Sequence, residues 1–168
     1  MAIDQDAMTS GSFELLMTVS MDVGAFASEW AYCDRLSSYV ARMASHNRTD
    51  SLLYSNLLSS ALNELLETAY RAHGTSGSFV CSILRNGNKD RVELMIPNDA
   101  GMDFYRTAVS RLSQENLAET YRTALFQEGA IDPTIGLMEL VVDYNARLTI
   151  TPMDDGAVRL RAELTLED

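Results

Sequence analysis

The feature that most constrains this chain is a hydrophobic period that switches from two to 3.6 and back, in which every period-two stretch has a single apolar face. Phe13, Leu15, Met17, Val19 and Met21 alternate with other residues, and so do Phe79, Cys81 and Ile83, then Val92, Leu94 and Ile96. The pattern returns at the end of the chain with Leu148 and Ile150, then Val158, Leu160, Ala162, Leu164 and Leu166. Successive side chains of a strand point to opposite faces, so each run predicts a strand with one side to bury. Between these runs the apolar residues recur at helical spacing: Trp30, Cys33, Ser37, Val40 and Ala44 between Val23 and His46, then Leu53, Leu57, Ala61 and Leu65, flanked by Leu58, Leu62 and Ala69, up to about Ala72. A third stripe, Leu137, Leu140, Val141 and Tyr144, marks a helix from Ile135 to Ala146. One-faced strands and matching helical stripes pack as a two-layer α/β (α+β) sandwich, a mixed, mostly antiparallel sheet covered on one face by helices.

Turn residues divide the elements. Asn47-Arg48-Thr49-Asp50 reads as a turn with Thr49 or Asp50 capping the second helix, and His73-Gly74 suits its end. Asn86-Gly87-Asn88 and Asp154-Asp155-Gly156 join strands into hairpins. Met102 to about Gln127 forms helix, with a break near Ser113-Gln114, and Ile131-Asp132-Pro133 is a loop. Residues 1–11 are small and polar and read as a loose tail, leaving 12–168 as one domain.

Charge excludes whole classes of partner. The balance of 24 acidic residues against 13 basic ones, a net charge of −11 with Lys89 as the only lysine, argues against a binder of phosphate backbones, which needs a basic patch. Nucleic acid and anionic membrane surfaces are excluded as expected partners. No apolar run approaches the roughly 20 residues of a membrane span, and no leader pattern opens the chain, so the expected compartment is the cytoplasm. Cys33 and Cys81 are far apart and fit no metal-ligand spacing, which makes them buried free thiols, and no metal site is expected. His46 and His73 sit at predicted helix ends, where they cap carbonyls. No Ser/His/Asp or Cys/His constellation stands out.

Two segments carry more than packing. The helical run Leu62-Asn63-Glu64-Leu65-Leu66-Glu67-Thr68-Ala69-Tyr70-Arg71 is followed, after the first hairpin, by Pro97-Asn98-Asp99-Ala100-Gly101. In order and spacing they resemble the first two nucleotide-site motifs of the GHKL (Bergerat-fold) ATPases, the superfamily of histidine-kinase catalytic domains and anti-sigma-factor kinases. Asn63 to Arg71 lines up with the N-box without a gap. Glu64 matches the water-activating carboxylate of that family, and Thr68 occupies the place of its Mg²⁺-ligating asparagine. Glu64, Thr68 and Arg71 stand at i, i+4 and i+7 on one helical face. Asp99 matches the G1-box aspartate that accepts a hydrogen bond from adenine, with Gly101 beside the base, while Asp103 replaces the second glycine. Gly136 and Leu137 match the first half of the G2 box, and Met138 and Glu139 depart from it. The lid would be the helical insert 104–128, with Arg106, Arg111 and Arg122 in place of lysine.

The resemblance implies an ATP/ADP site with Mg²⁺, and the altered magnesium and phosphate positions imply that nucleotide binding is weakened or lost. Its leading implication is a bacterial-type signalling regulator that binds a protein partner, close to the free-standing anti-sigma-factor and switch-kinase modules. An active ATP-dependent serine protein kinase of the anti-sigma type, with Glu64 as its catalytic base, is the first alternative; a small-molecule binder or enzyme on an unrelated α/β sandwich is the second. Related modules often pair, so a homodimer through the first long helix, with Phe26 and Trp30, is a further expectation. Plainer readings stand beside these: Glu64 and Glu67 on a solvated helix face, with Glu67 and Arg71 as an i, i+4 ion pair worth about 0.2–0.5 kcal/mol, and Pro97 to Gly101 as an ordinary turn.

Overall fold

The computed structural model describes residues 11–22, 24, 31–73, 77–96 and 102–165. The expectations placed on residues 1–10, Phe26, Trp30, Gly74, Asp99 and Gly101 lie outside the described residues. In chain order the elements are β1 (Glu14–Asp22), α1 (Ala31–Ser45), α2 (Ser51–His73), β2 (Ser78–Asn86), β3 (Lys89–Ile96), α3 (Met102–Leu112), α4 (Leu117–Phe126), α5 (Ile135–Val142), β4 (Arg147–Pro152) and β5 (Val158–Thr165). The strands form one sheet in the order β1-β2-β3-β5-β4, and every neighbouring pair is antiparallel. This is the two-layer α+β sandwich that the one-faced strands require.

The inner face of the sheet carries Phe79, Cys81, Ile83, Val92, Leu94, Ile96, Val158, Leu160, Ala162 and Leu164, all 3% exposed or less. Against it lie Cys33, Val40 and Ala41 of α1, Tyr54, Leu58, Leu62, Leu65 and Leu66 of α2, and Leu137 and Leu140 of α5. Burying each large aliphatic side chain contributes about 1.5–3 kcal/mol, which is what holds the helices to the sheet. The outer face is laced by ion pairs, Arg91 Nη2 to Glu163 Oε1 at 2.6 Å and Arg161 Nε to Glu93 Oε1 at 2.8 Å.

Three local expectations change. The register runs Glu14↔Arg85, Leu15↔Leu84, then Met17↔Ile83, so Leu16 is an extra residue in a bulge. A bulge inverts the alternation on one side of itself. Leu15 is therefore on the outer face, 58% exposed, and Phe13 lies under the Arg91 guanidinium, 3.6 Å from Cζ to ring centroid, instead of facing the core. In α2, Leu53 is 47% exposed while Tyr54 takes the core position at 2%. Helix α5 stops at Val142 rather than Ala146 because Asn145 turns left-handed at φ 50°, and the Ala146 N–H donates to Leu140 O at 2.9 Å.

The remaining punctuation follows the sequence. Asp50 Oδ1 accepts from Leu53 N–H at 3.3 Å, making Asp50 the cap of α2. Gly87 has φ 60°, as a two-residue hairpin loop demands. The insert breaks between Leu112 and Leu117, and His46 Nδ1 lies 3.0 Å from the carbonyl of Met43 near the end of α1. Gly11, expected in the tail, accepts a hydrogen bond from Asn86 Nδ2 at 2.8 Å. Among the described residues no helix is long and apolar enough to cross a membrane.

Both cysteines are buried and free. Burial, followed by the charge of Glu67, pushes the Cys33 thiol up to about 11, and burial pushes the Cys81 thiol up to about 12. Only the thiolate is nucleophilic. The native protein at pH 8 is expected to give no rapid reaction with a disulfide reagent such as DTNB, and two thiols per chain in urea; fast native labelling of either would contradict the packing.

Candidate functional site

Helix α2 is long because its 23 residues contain no glycine or proline and are rich in leucine. Its last turns pass the start of α5, and the two helices meet at a glycine. Gly136 is buried, and a Cβ built on it would collide with Glu64 Oε2 and lie 3.4 Å from Thr68 Oγ1. Glycine is what allows this approach. The structure thus brings together three of the residues that the sequence singles out, Glu64, Thr68 and Gly136. Thr68 is 2% exposed. Arg71 is on the rim, 3.2 Å from Glu67 Oε2, and Glu67 Oε1 also accepts from Asn63 Nδ2 at 2.9 Å. The i, i+4 pair of the plainer reading is therefore present beside the Glu64 contact.

The start of α5 is fixed from the preceding loop. Asp132 Oδ1 accepts from Thr134 N–H at 2.9 Å and from Thr134 Oγ1–H at 2.7 Å, and Asp132 also pairs with Arg111. Burial alone would raise the Asp132 carboxyl, but the two Thr134 hydrogen bonds and the Arg111 guanidinium outweigh it and hold the carboxyl below its ordinary value. Arg111, a candidate for the lid, is thus engaged in holding the α5 entrance. Arg122 is exposed, and Arg106 pairs at 3.3 Å with Asp103, whose side chain is 99% exposed. The Asp103 carboxylate faces solvent.

The electrostatics of the α2–α5 contact are acidic. Burial first, then the charges of Glu139 and Glu67, push the Glu64 carboxyl up to about 7, against a smaller downward pull from Arg71. Glu139 is also raised, by burial, Asp143 and Glu67. Asp143 Oδ2 accepts from the Tyr121 hydroxyl at 2.9 Å, and burial followed by that hydrogen bond raises the phenol. Asp143 and Tyr121 escape a motif-based reading. The spacing of Glu139 and Asp143, i and i+4 with Asp143 capping the end of α5, is the signal that could have found them. Among the described residues no group of three or more histidines, cysteines and carboxylates could hold a metal ion.

Chemically, the site offers one carboxyl that exchanges its proton near neutral pH, beside a helix start and inside a ring of negative charge. Such a group can accept a proton. The surrounding carboxylates disfavour a phosphate at the same place, since like charges in a partly dry cleft repel. Gly136→Ala tests the contact: the new methyl is expected to drive the Glu64 carboxyl outward and return its titration towards 4.5. Stability should change by less than about 1 kcal/mol, because the obstructing atom ends a flexible side chain and alanine favours helix over glycine by about that much. An unshifted Glu64 midpoint in a carbon-13 NMR titration would contradict the contact.

No protein-family model and no curated protein matches the chain. Among solved structures, a chain in the crystal structure of the SiaB-SiaC complex from Pseudomonas aeruginosa is similar to it, with a TM-score of 0.52 and 12% identity over 90% of each chain. At that identity the likeness is one of fold.

Proposed function

We propose that this chain is a signalling regulator built on a histidine-kinase-like ATPase fold, which binds a protein partner and has weakened or lost its nucleotide site. The observation that carries the reading is the contact of Glu64 and Thr68 with Gly136. Positions of the N-box helix and of the G2 start, 68 residues apart between Thr68 and Gly136, stand side by side, as the GHKL resemblance implies. The acidic surroundings of that contact support the loss of nucleotide, because Glu67, Glu139 and Asp143 crowd the place where phosphates would lie. Likeness in fold to a chain taken from a two-protein complex supports a protein partner. We place the module in the cytoplasm, without nucleic-acid or membrane partners, and keep a homodimer as part of the proposal.

Isothermal titration with ATP and ADP, with and without Mg²⁺, tests the reading, with Asp99→Asn as control. No saturable heat up to millimolar nucleotide is the expected result. Micromolar binding abolished by Asp99→Asn would overturn it.

One observation favours the kinase alternative: a carboxyl near pH 7 has the proton affinity suited to a general base. On that reading Glu64→Ala abolishes phosphorylation of a small antagonist protein, while Glu67→Ala leaves it largely intact.

A further inference from the structure

Strand β4 ends one side of the sheet: β5 takes one of its edges, and among the described residues no strand takes the other. A cavity of about 400 Å³ lies along it. Its lining includes every residue from Arg147 to Ile150, although neighbours in a strand point to opposite faces, as a space running along the backbone edge would. The opposite wall is Val109 and Leu112 of α3 with Val141 of α5. A second cavity of about 280 Å³, which reaches Met102, Tyr105 and Pro152, shares Val109 and Ile150 with the first, so the two adjoin along β4 and are treated as one groove.

The groove is apolar between two positive ends. Its charged lining residues are Arg147 in the first cavity and Arg106 in the second, within a chain of net charge −11. The Arg106–Asp103 pair is largely exposed, and such pairs hold weakly against a competing carboxylate. At physiological salt the Debye length of about 8 Å screens most of the distant acidic surface.

We propose that this groove takes an extended segment of the partner protein, about six residues long, added as a further strand along β4. Its apolar side chains enter between α3 and the sheet, its acidic side chains meet Arg147 on the outer face, and Arg106 attracts the acidic segment from the other wall. A second copy of this chain is the poorer occupant, since it would bring the same arginines to both sides of the seam. The inference rests on the partner-binding reading and gives that partner a chemistry.

The test uses the full chain and fluorescein-labelled hexapeptides in which valine alternates with glutamate or with lysine, read by fluorescence polarisation. Saturable binding of the glutamate peptide is expected, weakened about tenfold or more by Val109→Asp and by Arg147→Glu; both sites are exposed, and unchanged circular dichroism would show that the variants fold. The double variant Arg106→Glu with Arg147→Glu should instead prefer the lysine peptide. No binding of either peptide, equal binding of both, or a sedimenting dimer lost in Val109→Asp would overturn the proposal. Micromolar ATP binding would remove the regulator reading and still leave this assay to decide the groove.

Discussion

Asp90→Ala is expected to cost about 3–5 kcal/mol of folding stability, because it leaves two mostly buried arginines around a missing charge. Asp90 is fully buried on the inner face of the sheet. Arg85 Nε and Nη2 reach its two oxygens at 2.7 and 2.9 Å, and Arg48 Nη2 reaches Oδ1 at 3.0 Å. Arg48 also stacks over the Tyr54 ring at 4.1 Å, and its Nε is buried without a partner. The arginine side chains are only 10% and 19% exposed, so water cannot replace the lost carboxylate fully. Typical domains are stable by about 5–15 kcal/mol, which makes this a large fraction of the total. The triple change Arg48→Met, Asp90→Leu, Arg85→Met should be far milder than Asp90→Ala, since it removes the charges together. Urea unfolding monitored by circular dichroism decides the matter; a loss below about 1 kcal/mol for Asp90→Ala would show that the cluster is not a buried clamp.

Glu64→Gln is expected to stabilise the protein at pH 8 and leave it unchanged at pH 4. The folded-state carboxyl titrates near 7 against an ordinary value of 4.5, so the folded state holds the proton more tightly than the unfolded chain does. Stability therefore falls as pH rises from about 4.5 to about 7 and is flat above. Glutamine cannot lose a proton and removes this slope. The group is partly in contact with solvent, so the gain at pH 8 is discounted to about 1–2 kcal/mol. Glu139 is raised too and adds a slope of the same sign that Glu64→Gln does not abolish. Equal stability of the two proteins at pH 8 would show that Glu64 is solvated.

The sheet was legible because four of its five strands keep an unbroken alternation, and α2 because its stripe runs through more than twenty residues without a breaker. Register is what alternation cannot report. An extra residue at Leu16 moves Phe13 and Leu15 to the other face without altering the apolar pattern. The Asp90 cluster was missed for a related reason: Asp90 is in phase with Val92 and Leu94, and Arg85 with Cys81 and Ile83, yet polar residues at a strand end read as solvent-facing. Taking their phase at face value would have placed both inside. Glu64, Thr68 and Gly136 could be named from motif order, whereas their acidic setting depends on Glu139 and Asp143 from a helix whose angle to α2 no periodicity encodes.

The strand order has a kinetic consequence. Strand β5, the last of the described elements, lies between β3 and β4 and carries Val158, Leu160, Ala162 and Leu164 into the core. During synthesis β1, β2 and β3 can pair once Ile96 has emerged, but β3 keeps an open edge until residues 158–165 arrive. For that interval of roughly 60 residues, several seconds at ordinary translation rates, the nascent sheet presents an unpaired interior strand, and the chain is most vulnerable to off-pathway association just before its last hairpin closes.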